Sequence, residues 1–575
     1  MKKLIIIAPQ KKIKKNYKEN VILGKWCLKN NLNIIENKKL NILKYHWDDK
    51  KKFYNDFLKL NEIYEFQLKL VSKKLNKIHK TKNSKKYWRI IIGPWLCQFI
   101  QITFDRWTMI SKAKKNYKNL IVNAEYDKIN IVPKNYLHFI NLMTQDEWNE
   151  AIFFDLIINF TNINYNKNPT VINYKNYKAK NLSFLNRALK YLNLNSKKDK
   201  YFFIDTYLNK TTLYKTQIKL NQKPKFFFSR DDDHETKVDL ILRKTKIFKN
   251  NLTFEKILDF MIWRYMPISY LENYNKIIKK VKICKNWPSR PKIIFTSNSH
   301  IGDDEFKVWC AEKIKNNSKL IIGQHGGNLT TTLFSTIYKH ELKIANKYLT
   351  WGKKNLRSKK IIPFYNFKIR NFEQSNSLKN NCLLVLNSFP RYSCYMASRI
   401  TSSQFLNYID DQAKFINNVK SKIKKKIILR LHKSDADYGW NSNTRIRNLT
   451  NSINFDNGEQ NIFKLLRKSR VCISTTNDTT YLETMCLKIP TLIFFNKKFE
   501  RLSKLVLKDF LKLQENNILF DDPLSLAKHL NFIWDNVDEW WYSKKIQKVV
   551  DQFCFNYSFR GKNIELKLSN LFKSL

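Results

Sequence analysis

The chain has 575 residues, 43% apolar and 14% aromatic, enough to bury a sizeable core and too apolar for a disordered protein. Its 107 Lys and Arg against 48 Asp and Glu give a formal charge of +59, yet lysines run from Lys2 to Lys573. That spread describes a generally basic surface rather than a nucleic-acid groove, and with no zinc-finger spacing or aromatic RNA-binding motif no specific nucleic acid is expected.

The nine cysteines are dispersed and never spaced Cys-x-x-Cys, so neither a disulfide framework nor a zinc site is implied. The first apolar run, Leu4 to Ala8, is shorter than the ~7–15 residues of a signal-peptide core and reads as a strand. No window approaches ~20 apolar residues. A cytoplasmic protein is expected, with peripheral attraction to the anionic inner membrane face as the membrane contact its charge allows.

A helix is expected from about Phe53 to His79, because Phe57, Leu60, Tyr64, Val71, Leu75 and Ile78 form one apolar face. Tyr87 to Leu96 reads as a strand ending in a Gly93-Pro94 turn. Trp26, the run His46-Trp47-Asp48-Asp49, and Asp105-Arg106-Trp107 could form a sugar or acceptor site, although such aromatics more often build core and interface. Phe226 to Arg230 followed by Asp231-Asp232-Asp233-His234-Glu235 offers carboxylates that could hold Mg²⁺ or Mn²⁺ beside a diphosphate. A solvated acidic loop is the commoner meaning of such a run.

From residue 290 the pattern turns regular. Apolar runs at Ile293–Phe295, Leu320–Ile322, Cys382–Leu386, Ile427–Leu431, Val471–Ile473 and Leu492–Phe495 alternate with helical or polar segments, which implies βαβ units and parallel sheets. Three segments are expected: 1–375, 376–535, and 536–575, the last helical and packing back.

Four polar clusters fall at strand carboxyl ends, where open α/β sheets bind ligands. They begin at Thr296, Gly323, Arg430 and Ser474. The second carries three of only 10 glycines, Gly323, Gly326 and Gly327, around Gln324 and His325. Glycine there would let backbone approach a ligand, and His325 could move a proton or contact phosphate. Gly326 is expected to resist a bulky residue, most of all if its φ is positive. Asp478, Thr479 and Thr480 precede a helix whose apolar face is Leu482, Met485, Cys486 and Ile489, so its start could take a phosphate. Glu483 could accept ribose hydroxyls, while Arg430, His432 and Lys433 supply cations.

The motifs Gly323-Gln324-His325-Gly326-Gly327, Arg430-x-His432-Lys433 and Thr479-Thr480-x-x-Glu483 before Pro490-Thr491 resemble the donor domain of GT-B-type glycosyltransferases and the related polyol-phosphate transferases. Over almost the whole chain, Leu23-Gly24-x-Trp26-Cys27, Tyr45 to Asp49, Tyr87 to Leu96, Asp105-Arg106-Trp107 and Leu349-Thr350-Trp351-Gly352 resemble a bacterial surface-carbohydrate-biosynthesis transferase family. Asn328-Leu329-Thr330 departs from that pattern, where an aromatic and another Gly would be expected. The resemblance implies an α/β fold of two Rossmann-like domains facing a cleft, with an aromatic-rich N-terminal elaboration. It implies metal-independent transfer from a nucleotide-sugar donor to a glycan or lipid-linked acceptor, with no cofactor. Arg430, Lys433 and the Thr479 and Thr480 N–H groups would then meet the departing phosphate, and His325 and Gln324 would be the catalytic residues, His325 as the base or as a further phosphate ligand. A transferase moving polyol phosphate from a CDP-linked donor, using His325 and His432, is the alternative enzyme. A basic scaffold without catalysis is the alternative to an enzyme.

Overall fold

The computed structural model describes residues 3–9, 20–29, 41–126, 131–169, 196–227, 236–247, 251–284, 286–354, 356, 358–369, 379–450 and 453–575. The acidic run Asp231–Glu235 lies outside them.

Among the described residues, three parallel sheets follow one another along the chain. The first joins β1 (Lys3–Ile6), β2 (Val21–Ile22), β3 (Leu120–Tyr126) and β4 (Asn164–Pro169) in the order β2-β1-β3-β4. The second runs in chain order through β5 (Tyr201–Ile204), β6 (Ile293–Thr296), β7 (Lys319–Gly323), β8 (Lys347–Thr350) and β9 (Ile361–Pro363). The third comprises β10 (Asn381–Val385), β11 (Ile427–Arg430), β12 (Asn454–Asp456), β13 (Ser469–Ser474), β14 (Thr491–Phe494) and β15 (Leu519–Phe520). Its spatial order is β12-β11-β10-β13-β14-β15. Counted from its own first strand this is 3-2-1-4-5-6, the doubly wound order that opens a crevice where the winding reverses. All six apolar runs expected to be strands beyond residue 290 are strands. The second and third sheets are the centres of two Rossmann-like α/β units, as the fold expectation required.

The first half differs from its expectation at one element. The helix over residues 53–79 is α1 (Lys50–Ile78), capped by Asp49, whose carboxylate accepts the N–H groups of Lys51 and Lys52. The strand expected at Tyr87–Leu96 is instead part of α2 (Lys85–Asn116), with Pro94 inside the helix. Every residue from Tyr87 to Thr103 is buried, so α2 is wrapped on all sides and its sequence carries no amphipathic period. A short buried strand and a buried helix then look alike. Gly93 serves packing rather than a turn: a Cβ there would stand 2.7 Å from His340 Cε1 and 3.0 Å from the Tyr64 hydroxyl.

The aromatic N-terminal motifs are core and interface. Tyr45 and His46 donate to the buried Asp105 at 2.7 and 2.8 Å, and Arg106 pairs with the same carboxylate. Burial would raise the Asp105 carboxyl, but the Arg106 charge and the bonds from His46 and Tyr45 outweigh it and hold it below its ordinary value. Arg106 also donates to Ser393 O at 2.9 Å. Arg391 donates to Trp26 O at 2.6 Å and to Asp146 at 2.7 Å, tying the first unit to the third.

The last helix, Ile564–Ser574, packs against the second sheet, with Phe572 5.7 Å from Phe203 and 5.4 Å from Phe295 between ring centres, while the helix before it, Lys544–Tyr557, packs on the third unit, with Phe553 5.1 Å from Phe510 and 6.3 Å from Tyr481. Phe559 N–H donates to Trp351 O at 2.6 Å. No helix among the described residues is long and apolar enough to cross a membrane.

Candidate active site

An open cavity of about 370 Å³ sits at the carboxyl ends of β10, β11 and β13. β10 is the strand from which the third sheet winds both ways, with Val385 paired to Arg430 on one side and to Ser474 on the other. The cavity is therefore at the switch point that the topology requires. Arg430, His432 and Lys433 line it from β11, and Ser474, Thr476, Asp478, Thr479 and Thr480 from β13. Asn387, just beyond β10, donates from its amide to Asp478.

Within that set, the cations are not equivalent. Arg430 pairs with Asp456, its register partner on β12, and donates to Gln460 O at 2.9 Å. Asp456 and the 456–460 loop thus share its charge, while Arg430 still lines the cavity. His432 Nδ1 accepts the Ser434 N–H at 3.2 Å, which leaves the ring proton on Nε2 for a ligand. Lys433 is exposed at the cavity. Asp478 is a carboxylate among groups suited to phosphate, so it fits a donor hydroxyl better. Glu483 is half-buried on the helix Thr480–Cys486 and is not among the cavity's lining residues, in contrast to its expected ribose contact. It stands a turn further into that helix than Thr479 and Thr480.

The glycine turn approaches this cavity from the second sheet. Gly327 N–H donates to Thr479 Oγ1 at 3.2 Å, so the Thr479 hydroxyl reaches across to the other unit and does not cap its own helix. The contact is close enough that a Cβ at Gly327 would stand 2.6 Å from Asp478 O. Gly326, by contrast, is extended at φ −134° and ψ 142°, and a Cβ there would meet nothing nearer than Asn328 Oδ1 at 3.4 Å. The expectation that Gly326 is the sensitive position is corrected: Gly327 is, because it faces the backbone of the other unit. Gly323, at the end of β7, is needed too, with Ser297 Oγ 2.7 Å from where its Cβ would be.

His325 lies two residues before this tether. Its Nδ1 is 3.2 Å from Glu341 Oε1, and the same oxygen accepts from His300 Nε2 at 2.9 Å. His300 and Glu341 are fully buried, while His325 keeps 17% of its side-chain surface open. One edge of the imidazole thus lies against the Glu341 carboxylate, so the ring is not as open as its glycine-rich surroundings had suggested. Burial would raise the Glu341 carboxyl, but His325 and His300 outweigh it and hold it at about 2. Burial above all lowers the His300 imidazole and keeps it neutral. An ionised carboxylate oriented by a neutral histidine, with a second histidine facing outward, is an arrangement able to take a proton from a hydroxyl. No local pattern pointed to Glu341, which stands mid-helix in Thr336–Ile344.

Gln324 is not part of that chemistry. It is 1% exposed; its amide donates to Gly326 O at 2.9 Å and its carbonyl accepts Trp351 N–H at 3.0 Å. The role expected of it in catalysis is corrected to bracing the turn against the end of β8. Gln324→Ala should cost about 1–3 kcal/mol of stability, because buried partners lose their bonds. Thermal melting checks this; an unchanged melting temperature would return Gln324 to the reaction.

Sequence reasoning also missed Gly458, which lines the cavity at φ +85°, 2.6 Å from Lys433 N at its would-be Cβ. The scarcity of glycine was the signal that could have found it.

The chain resembles several solved structures weakly. The S. aureus MnaA–UDP co-structure has 9% identity and a TM-score of 0.37, covering 66% of this chain and 96% of that one. UDP-N-acetylglucosamine 2-epimerase from Rickettsia bellii has 11% identity and a TM-score of 0.36, with the same coverages. Acinetobacter baumannii MurG has 9% identity and a TM-score of 0.30, covering 65% of this chain and 100% of that one. No curated protein matches the chain. A family model does match it, over residues 3–572, and the chain belongs to that family, the LIC12162 family transferases.

Proposed function

We propose that this transferase is a metal-independent glycosyltransferase of bacterial surface polysaccharide synthesis, moving a sugar from a nucleotide-sugar donor to a glycan or lipid-linked acceptor. One observation carries the reading: a cavity at the switch point, lined by His432, Lys433, Thr479 and Thr480, is joined by the Gly327–Thr479 bond to the turn that holds His325. The donor's diphosphate would take the cavity. His325 Nε2 would accept the acceptor hydroxyl's proton as the acceptor oxygen bonds the anomeric carbon. The bond from that carbon to the phosphate oxygen breaks, and Lys433, His432 and the threonine hydroxyls meet the charge that leaves. The basic surface supports peripheral contact with an anionic membrane face, where a lipid-linked acceptor would lie.

The two histidines at the junction, His325 and His432, also fit transfer of a polyol phosphate from a CDP-linked donor. Thermal shift with UDP-, GDP-, CDP- and dTDP-sugars, CMP-linked acid sugars and CDP-linked polyols separates the two readings, because a ligand that binds only the folded state stabilises it. Lys433→Ala should weaken the selected donor by about 1.5–3 kcal/mol, the worth of a charged hydrogen bond, with the ligand-free melting temperature unchanged. Unaltered affinity in that variant would remove the cavity from the mechanism. Activity should survive excess chelator. Activity lost to chelator and restored by Mn²⁺, together with inactivation by Asp231→Ala and Asp233→Ala, would move phosphate stabilisation to the acidic run.

A further inference from the structure

The outer face of α1 is unlike an ordinary solvated helix face. Leu58, Phe66 and Leu70 are 44%, 53% and 43% exposed. At 100° per residue they fall within a third of a turn of one another, so they share one side. Lys59, Lys69, Lys73 and Lys77 are exposed on that same side, and Glu62 is the one acid among them. The inner face is occupied: Phe57, Leu60, Tyr64, Leu68, Val71 and Leu75 are buried. α1 therefore cannot roll its exposed apolar residues inward. Large apolar side chains among lysines, with almost no acid, match an anionic bilayer surface, which takes the rings and methyls into its headgroup layer and pairs with the ammonium groups. Lysine stems can lie along the apolar surface with their charges outward. A second copy of this chain fits poorly, because two such faces would repel.

Position adds to this. The amino-terminal end of α1 reaches the junction of the two Rossmann-like units: Lys50 donates to Gln404 Oε1 at 2.8 Å, and Phe57 stands 4.5 Å, ring centre to ring centre, from Phe334 in the loop that follows the glycine turn. A surface holding α1 would therefore hold the approach to His325 and the cavity close to it.

We infer that the exposed face of α1 is a docking surface for anionic lipid bilayers. The inference extends the membrane contact proposed above, and its test needs neither donor nor turnover, so its failure would leave the glycosyltransferase reading standing. Sedimentation with phosphatidylcholine vesicles containing phosphatidylglycerol should recover the full-length protein, and pure phosphatidylcholine vesicles should not. The triple variant Lys69→Glu, Lys73→Glu, Lys77→Glu should bind anionic vesicles at least roughly tenfold more weakly. The double variant Phe66→Ser, Leu70→Ser should also bind more weakly, and both should melt as the parent does, since these side chains are exposed. A control triple, Lys544→Glu, Lys545→Glu, Lys548→Glu, removes the same charge from the C-terminal helix and should bind as the parent does. Equal loss in the control would overturn the inference in favour of generic charge. So would full binding by the serine variant, or no binding by the parent protein.

Discussion

His325→Ala is expected to lower kcat by roughly 10²–10⁴-fold, the usual span of general acid–base catalysis, with donor affinity and melting temperature nearly unchanged. The physical case rests on the Glu341 carboxylate. It is fully buried, ionised, and held by His300 Nε2 at 2.9 Å, so it presents a fixed charge 3.2 Å from His325 Nδ1. That charge lies beside the Nδ1 edge of the ring and would stabilise the imidazolium that forms when a hydroxyl proton arrives. Glu341→Gln keeps the volume and removes the charge. It should lower kcat at saturating donor by a smaller factor than His325→Ala while leaving the donor KM in place. Full turnover by His325→Ala at saturating donor and acceptor would end the assignment. A large fall in its melting temperature would make the His325–Glu341 pair a structural contact.

Gly327→Ala should reduce stability by about 1–3 kcal/mol, the common cost of forcing atoms into a packed site, and should impair donor binding with it. The new Cβ would stand 2.6 Å from Asp478 O and 2.6 Å from Leu482 Cδ1. The first is backbone and cannot swing aside, so the glycine turn must move away from the cavity and the Gly327–Thr479 bond must lengthen. Gly326→Ala, one residue earlier, should change stability by less than about 0.5 kcal/mol, because its backbone is extended and its nearest neighbour is 3.4 Å away. The pair of variants, compared by melting temperature and donor titration, isolates the contact between the two units. Similar behaviour in both would mean that the close approach of the turn to Asp478 has no consequence.

The parallel α/β character of the second half was legible in the sequence, because β6, β7, β10, β11, β13 and β14 are short apolar runs bounded by polar clusters, and strand ends in such sheets are where ligands bind. The glycine turn was legible for a related reason: in a chain with 10 glycines, three within five residues mark backbone that comes close to something. What they come close to was not legible. The Gly327–Asp478 approach, the Arg430–Asp456 pair and the Gln324–Trp351 bond join residues whose partners lie on other strands or in another unit, and pairings of that kind leave no local period or spacing. The buried helix at Tyr87–Leu96 was hidden because surroundings that are apolar on every side erase the periodicity that would distinguish it from a strand. The sequence by itself determined the strand-and-cluster framework and the residue types available at its ends. Only the tertiary structure decided which of those residues face a cavity, which neutralise one another, and that Glu341 stands behind His325, because the free energy of a buried charge depends on neighbours brought in from distant parts of the chain.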